Sequence, residues 1–259
     1  MIPWFQWTTV YLGPVPLRVS GFFVALGMLL SMRLIWKYAS SFHQKKEDMA
    51  DLVFWMLVFG MIGARLFHVL FYEFSSYADD PARVFFIWEG GLSSFGGFFG
   101  AAFAFFWFLK RKNIRETLWP CIGDLLAFAS VFGWIVGRIG CFMIHDHLGR
   151  PCNFFLAIGG PDQPRLDMAF LEILGLLPLA FLFFFSRKKH KPDGWFLGIL
   201  FMYYGVLRFI LDFFRATDII GADARYAGLT PAQYFAILMA AVGLRVFFKK
   251  TNQQLTINN

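Results

Sequence analysis

The sequence predicts an all-α integral membrane protein of about seven transmembrane helices with an outward-facing arm. Two observations carry that prediction. Apolar runs of about 20 residues recur along the chain, the length a helix needs to cross a hydrocarbon layer of about 30 Å. Lysine-rich and lysine-poor loops alternate between those runs, the pattern of a chain that crosses a bilayer repeatedly. Composition agrees. Of 259 residues, 58% are hydrophobic, 16% are charged and 36 are phenylalanine, against about 25% charged in soluble domains, and a soluble core could not hide that much apolar surface.

The first span, 17–36, is too long and too embedded in the pattern to be a removed signal peptide. The second, 52–71, carries Arg65 and His68. The third, 92–109, opens in WEGGLSSFGGFFGAA (88–102), where Gly96, Gly97 and their neighbours either let helices approach closely or leave backbone amides for an anion. The fourth, 118–143, contains Asp124 and Arg138. An arm over about 144–168 follows. The fifth span, 169–186, holds Glu172; the sixth, 195–214, holds Arg208 and Asp212; the seventh is 230–248. Residues 1–250 read as a single polytopic membrane domain and 251–259 as a short polar tail.

Lys37, Lys45 and Lys46, then Lys110, Arg111, Lys112 and Arg115, then Arg187, Lys188, Lys189 and Lys191, then Lys249 and Lys250 fall on one side. Arg83, Arg150, Arg165, Arg215 and Arg225 fall on the other. The lysine-rich side is expected to be cytoplasmic, so the N-terminus, the 72–91 loop, the arm and the 215–229 loop face outward and the C-terminus inward. The net charge of +7 is dispersed through short loops with no aromatic RNA-binding motif, which argues for anionic lipid headgroups and against nucleic acid. Cys121, Cys141 and Cys152 are odd in number without CxxC spacing and define no disulfide framework. No nucleotide loop or dinucleotide fingerprint is present, and no cofactor is expected. Trp4, Trp7, Tyr11, Tyr72 and Trp88 fit an interfacial aromatic belt.

A charge at the bilayer centre costs roughly 2.5–3.5 kcal/mol on insertion scales, so ionisable residues within spans are expected to face the bundle interior and to pair. Arg208 and Asp212 are four apart and Arg208 and Arg215 seven apart, on one helical face. A structural ion pair accounts for Arg208 with Asp212 alone. Four arginines at positions 65, 138, 208 and 215 against few acids point to an electropositive cavity suited to a lipid phosphate.

At these residues the chain resembles the bacterial prolipoprotein diacylglyceryl transferases. The match runs collinearly through LGPVPLRVSGF (12–22), GARLFHVLFYEF (63–74) and DPARVFFIWEGGLSSFGG (80–97). It continues through GDLLAFASVFGWIVGRIGCF (123–142), DGWFLGILFMYYGVLRFILDFFRATD (193–218) and GLTPAQ (228–233). The resemblance implies an inner-membrane enzyme whose arm is periplasmic. It implies transfer of the diacylglyceryl group of phosphatidylglycerol to the lipobox cysteine of a prolipoprotein signal peptide, with glycerol phosphate leaving. It places Arg138 and Arg208 at the family's essential arginines, and Asp124, Asp146, Gly149, Glu172 and Asp212 where the family has an acid or glycine. The sequence also departs from the pattern. Phe95 stands where the family has a histidine, Arg18 and Ser20 replace a His and a Tyr, and Cys141 replaces an asparagine.

The stretch GRIGCFMIHDHLGRP (137–151) sits where the fourth span passes into the arm. Arg138 is expected to bind phosphate together with Arg208, with Arg65, Gly96, Gly97, Gly149 and Asp124 completing the lipid site. His145, Asp146 and His147 emerge at headgroup level, and an imidazole there can accept the thiol proton in place of the histidine missing at position 95. The same triplet also reads as a polar stretch that holds the arm by hydrogen bonds. Zinc on His145 and His147 with Cys141 or Cys152 fits no common finger spacing, and no metal is expected. Other functions consistent with the sequence are a paralogue acting on another phospholipid or acceptor, and a non-catalytic lipid-binding protein.

Overall fold

The computed structural model describes every residue except Pro14, Trp88, Glu89, Pro161, Asp162, His190, Ile220, Gly221, Asn258 and Asn259. The Trp88 position in the aromatic belt therefore lies outside the described residues. The chain forms two compact units, Met1–Leu34 with Pro120–Asn259, and Ile35–Trp119.

The first unit opens with a hairpin, β1 (Thr9–Leu12) antiparallel to β2 (Val15–Arg18), in which Thr9 faces Arg18 and Val10 faces Leu17. Helix α1 (Val19–Tyr38) starts at once from β2. It packs against α5 (Trp119–Ile144). A Cβ at Gly27 would come 2.3 Å from the Gly133 carbonyl oxygen, and one at Gly133 would come 2.4 Å from that of Gly27. Only a pair of glycines lets these backbones touch.

After α5, His145 takes a left-handed turn, φ 52°, and the chain enters the arm. The arm is a small antiparallel sheet of β3 (Leu148–Pro151), β4 (Ile158–Gly159) and β5 (Pro164–Asp167) in the order β3-β5-β4. The N-terminal segment joins it. Ile2 N donates to Ala157 O at 2.9 Å, Gly159 N to Ile2 O at 2.9 Å, and Trp7 N to Met143 O at 3.0 Å. Asp167 caps α6 (Met168–Ser186), accepting from Phe170 N at 2.8 Å, as a short acid at this position satisfies an orphan helical N–H. Helix α7 (Trp195–Asp212) pairs with α8 (Pro231–Ile257).

The second unit consists of α2 (Lys46–Phe71), the short α3 (Phe74–Asp79) and α4 (Ser94–Arg111). Here α2 and α4 meet through glycines. A Cβ at Gly96 would fall 2.2 Å from the Gly63 oxygen and one at Gly100 2.0 Å from the Phe59 oxygen. Lys112 pairs with Asp48 at 3.0 Å and with Asp51 at 3.6 Å, joining the two basic ends of the hairpin.

The all-α membrane class holds, with the two small sheets added. Among the described residues, six helical segments are long and apolar enough to cross a membrane: 19–42, 46–71, 116–144, 168–186, 195–212 and 231–248. The count differs from the expected seven at α4, whose 18 residues leave no room to exclude Lys110 and Arg111. The chain is a multi-pass membrane protein.

Candidate active site

The first unit gathers the charged residues of three spans around one carboxylate. Glu172, an isolated acid in the apolar α6, is 1% exposed. Its Oε1 accepts from Trp134 Nε1 at 2.9 Å, Arg138 Nε at 3.0 Å and Tyr204 Oη at 2.9 Å, while its Oε2 accepts from Arg208 Nη1 at 3.2 Å. Trp134 and Arg138 lie one turn apart on α5, and Tyr204, Arg208 and Asp212 lie at successive turns of α7. The helical repeat therefore aims both sets at α6. A buried carboxylate with four donors recovers what burial takes from it.

A second carboxylate extends the cluster to the end of α7. Asp212 Oδ1 is 3.2 Å from Arg208 Nη2 and 3.9 Å from Arg215 Nε, at ion-pair distance without hydrogen-bond alignment. Its Oδ2 accepts from the Thr230 hydroxyl. Arg215 Nε also meets Asp223 Oδ2 at 2.7 Å. The Arg208–Asp212 pair is the one expected from their four-residue spacing.

Gly149 positions Arg215. A Cβ there would come 2.8 Å from the Phe214 oxygen and 2.8 Å from Met168 Sδ. Without one, β3 lies against the end of α7, with Arg150 N donating to Phe214 O at 2.8 Å and Ala216 N to Leu148 O at 3.3 Å. Here a missing side chain sets the distance between arm and cluster.

His147 and Asp146 border the arginines. Burial first, then Arg138, Arg215 and Arg208, push the His147 imidazole down to about 3. Burial pushes the Asp146 carboxyl above its ordinary value, with Arg138 acting against it. His147 thus stays neutral at any physiological pH, in a field that is net positive at its ring. His147 Nε2 and Asp146 Oδ1 are 3.8 Å apart.

His145 stands apart from both. Its side chain is fully buried, with Nδ1 2.9 Å from Asp167 Oδ2, and it is ringed by Trp4, Phe5 and Phe142 at 4.7–5.5 Å between centroids. Its Nε2 has no hydrogen-bond partner. Of the two histidines proposed as proton acceptors, this one is enclosed, bonded to Asp167 of the arm and packed against Trp4 and Phe5 of the N-terminal segment.

Asp124 is not brought to the cluster. It sits fourteen residues before Arg138 on α5, about 21 Å away along the axis at 1.5 Å per residue. Its Oδ2 accepts from Gly194 N at 2.6 Å and its Oδ1 from Leu197 N at 2.8 Å, so it caps α7. Arg65 is also committed elsewhere, in the second unit. Its five N–H donors go to the carbonyls of Val84, Gly90, Gly91, Arg83 and Phe86. No donor is left for a phosphate. Gly96 serves the approach of α2 and α4, and the Gly97 amide donates to Ser93 O at 3.0 Å. Gly96 therefore acts in helix packing, and the Gly97 amide is not left free for an anion.

Trp134, Tyr204 and Thr230 were missed from sequence. The signal for the first two was their position one turn before Arg138 and Arg208 on the same helical faces. Thr230 reaches Asp212 from the start of α8, which no local pattern announces.

Residues 8–249 match the family model described as prolipoprotein diacylglyceryl transferase. Three similar proteins carry the name phosphatidylglycerol–prolipoprotein diacylglyceryl transferase. That of Pseudomonas fluorescens is 32% identical over 94% of this chain and 94% of its own length. One from Pseudomonas putida is 30% identical over 99% and 98%, and one from Zymomonas mobilis is 30% identical over 90% and 85%. With Arg138 and Arg208 in the two spans that carry quoted motifs and a match over nearly the whole length, the chain belongs to the prolipoprotein diacylglyceryl transferase family.

Proposed function

We propose that this chain is a transferase that moves the diacylglyceryl group of phosphatidylglycerol onto the lipobox cysteine thiol in the signal peptide of a prolipoprotein. The sulfur bonds to the glyceryl carbon, the carbon–oxygen bond to phosphate breaks, and glycerol phosphate leaves with that electron pair. The observation that carries the reading is the pair Arg138 and Arg208 held on one carboxylate, Glu172, at 3.0 and 3.2 Å. Phosphate loss needs fixed cationic donors where charge develops, in a site that excludes water. Arg138 and Arg208 hold the phosphodiester and stabilise the departing phosphate. Glu172 and Asp212 fix their orientation, and Gly149 sets the position of Arg215.

Asp146 takes the thiol proton. It is the only one of the three arm candidates that is both accessible and raised above its ordinary value, which makes it the stronger base, whereas His147 is depressed to about 3 and His145 is enclosed. This assigns to the arm the work of the histidine whose place Phe95 occupies.

The protein resides in the bacterial inner membrane with its N-terminus and arm in the periplasm and its C-terminus in the cytoplasm. The lysine-rich loops support that orientation. So do the hydrogen bonds of the N-terminal segment and residue 216 to the arm, which keep three segments assigned to one side together. Membrane lipids surround it, and nucleic acid has no part in the reaction.

The reading is tested with purified protein, phosphatidylglycerol and a lipobox peptide, by mass spectrometry of the peptide. Arg138→Ala and Arg208→Ala are expected to abolish the diacylglyceryl adduct while remaining folded. A second reading, a paralogue with a different phospholipid or acceptor, is favoured by Phe95, Ser20 and Cys141. It predicts no adduct from phosphatidylglycerol but one from another lipid or thiol in the same assay.

A further inference from the structure

We infer that Cys141, Asp146 and His147 form a binding site for a divalent cation of the zinc class, and that its occupation inhibits the transferase. The inhibitory part rests on the function proposed above; the binding part does not.

The Cys141 sulfur, an Asp146 carboxylate oxygen and a His147 ring nitrogen all lie within 4.8 Å of one another. In a tetrahedral zinc centre the metal–ligand distances are about 2.0–2.3 Å, which puts ligands roughly 3.3–3.8 Å apart. The Asp146–His147 separation of 3.8 Å already meets that span. The remaining adjustment is about 1 Å, within the swing of one side chain. Thiolate, imidazole and carboxylate are the three protein ligand types zinc takes.

Local structure holds the donors there. Cys141 belongs to the last turn of α5, which ends at Ile144. The left-handed turn at His145 reverses the chain, so residues five and six positions on return to the level of the cysteine. That turn is fixed on one side by the His145–Asp167 contact of 2.9 Å and on the other by Met168 N donating to His147 O at 2.9 Å. This is not the ligand set that the spacing of the two histidines suggested, because His145 is committed to Asp167.

The positive field of the neighbouring arginines at His147 opposes a dication, and the acids paired with each arginine and two anionic ligands offset it. Arg138 and Arg208 are paired with Glu172 and Asp212, and Arg215 with Asp223. On binding, the Cys141 thiol proton leaves to water, and thiolate plus carboxylate balance the two charges of the metal. The unit formed is neutral. Three protein ligands leave a fourth position open to water or to an incoming thiol.

Occupation is read at Arg138. Its Nη1 lies 3.9 Å from Cys141 Sγ, so a metal on that sulfur stands beside the guanidinium assigned to the lipid phosphate. Inhibition follows from the metal taking the sulfur that faces the Arg138 guanidinium and from withdrawal of Asp146, the assigned proton acceptor.

The test uses full-length protein in detergent, freed of metal, titrated with Cd2+ and read by thiolate-to-cadmium ultraviolet absorption. One equivalent is expected to bind in the wild type and in Cys152→Ser. The absorption is expected to vanish in Cys141→Ser, and the affinity to fall about tenfold or more in His147→Gln, the order of loss when support for a metal is removed. Added Zn2+ is expected to inhibit the wild type, a chelator to restore it, and Cys141→Ser to be active and resistant. No absorption in the wild type, or absorption that survives in Cys141→Ser, overturns the site. Stoichiometric binding without inhibition overturns the inhibitory role. The absorption needs no turnover, so its failure is distinguished from failure of the transferase reading.

Discussion

Arg138 of α5 and Arg208 of α7 donate to different oxygens of the same buried carboxylate, Arg138 to Glu172 Oε1 at 3.0 Å and Arg208 to Oε2 at 3.2 Å. The carboxylate fixes the spacing of two guanidiniums that come from separate spans. Replacing Glu172 by alanine leaves both without their shared partner inside the unit. Breaking a buried pair by removing one member costs about 3–5 kcal/mol, and loss of a fixed charge-stabilising group lowers turnover about 10²- to 10³-fold. Glu172→Ala is expected to show both losses in thermal unfolding and initial rates. Glu172→Asp, one methylene shorter, is expected to regain stability before it regains rate.

His147 provides a pH test. Its folded value is depressed to about 3, while an unfolded histidine takes up a proton near about 6.5. The unfolded state therefore binds the extra proton in between. The stabilisation is fully present above about 6.5 and is lost as pH falls from there toward about 3. Asp146, raised in the fold, works in the opposite sense, so the comparison is with a His147→Gln variant. Between pH 7 and 4 the wild type is expected to lose more thermal stability than His147→Gln. Nitrogen NMR of the labelled imidazole is expected to show a neutral ring at pH 5; a protonated ring there contradicts the account.

Asp124 and Arg65 separate stability from chemistry. Asp124 accepts from two amides at the start of α7, and loss of a helix cap costs about 0.5–2 kcal/mol. Asp124→Ala is expected to unfold at lower temperature while its rate per folded molecule stays within about twofold of wild type. Arg65→Lys offers three donors where five carbonyls are held. It is expected to destabilise the second unit, a change visible as faster proteolysis between residues 72 and 93. A large fall in rate at equal folded fraction, for either variant, returns that residue to the site.

What was legible in the sequence follows from how local each signal is. The spans and the Arg208–Asp212 pair depend on spacing along one helix, and among the described residues the structure shows six of the seven spans and the pair. Glu172 stood out as a lone acid in an apolar run, but the identity of its partners did not, because Trp134, Arg138, Tyr204 and Arg208 come from two other helices. Arg65 and Asp124 looked like site residues because a charge in a span signals function. Both are occupied by backbone groups whose position no sequence pattern reports. The His145–His147 doublet divided on one backbone angle, which turned the first ring into an aromatic enclosure and left the second beside the arginines.

The most direct measurement is the mass of a lipobox peptide after incubation with phosphatidylglycerol and the purified protein, run in parallel with folded Arg138→Ala and Arg208→Ala. The wild type is expected to give a thioether-linked diacylglyceryl peptide and free glycerol phosphate, and the two variants neither product. Undiminished product from a folded arginine variant would contradict the role of the two arginines.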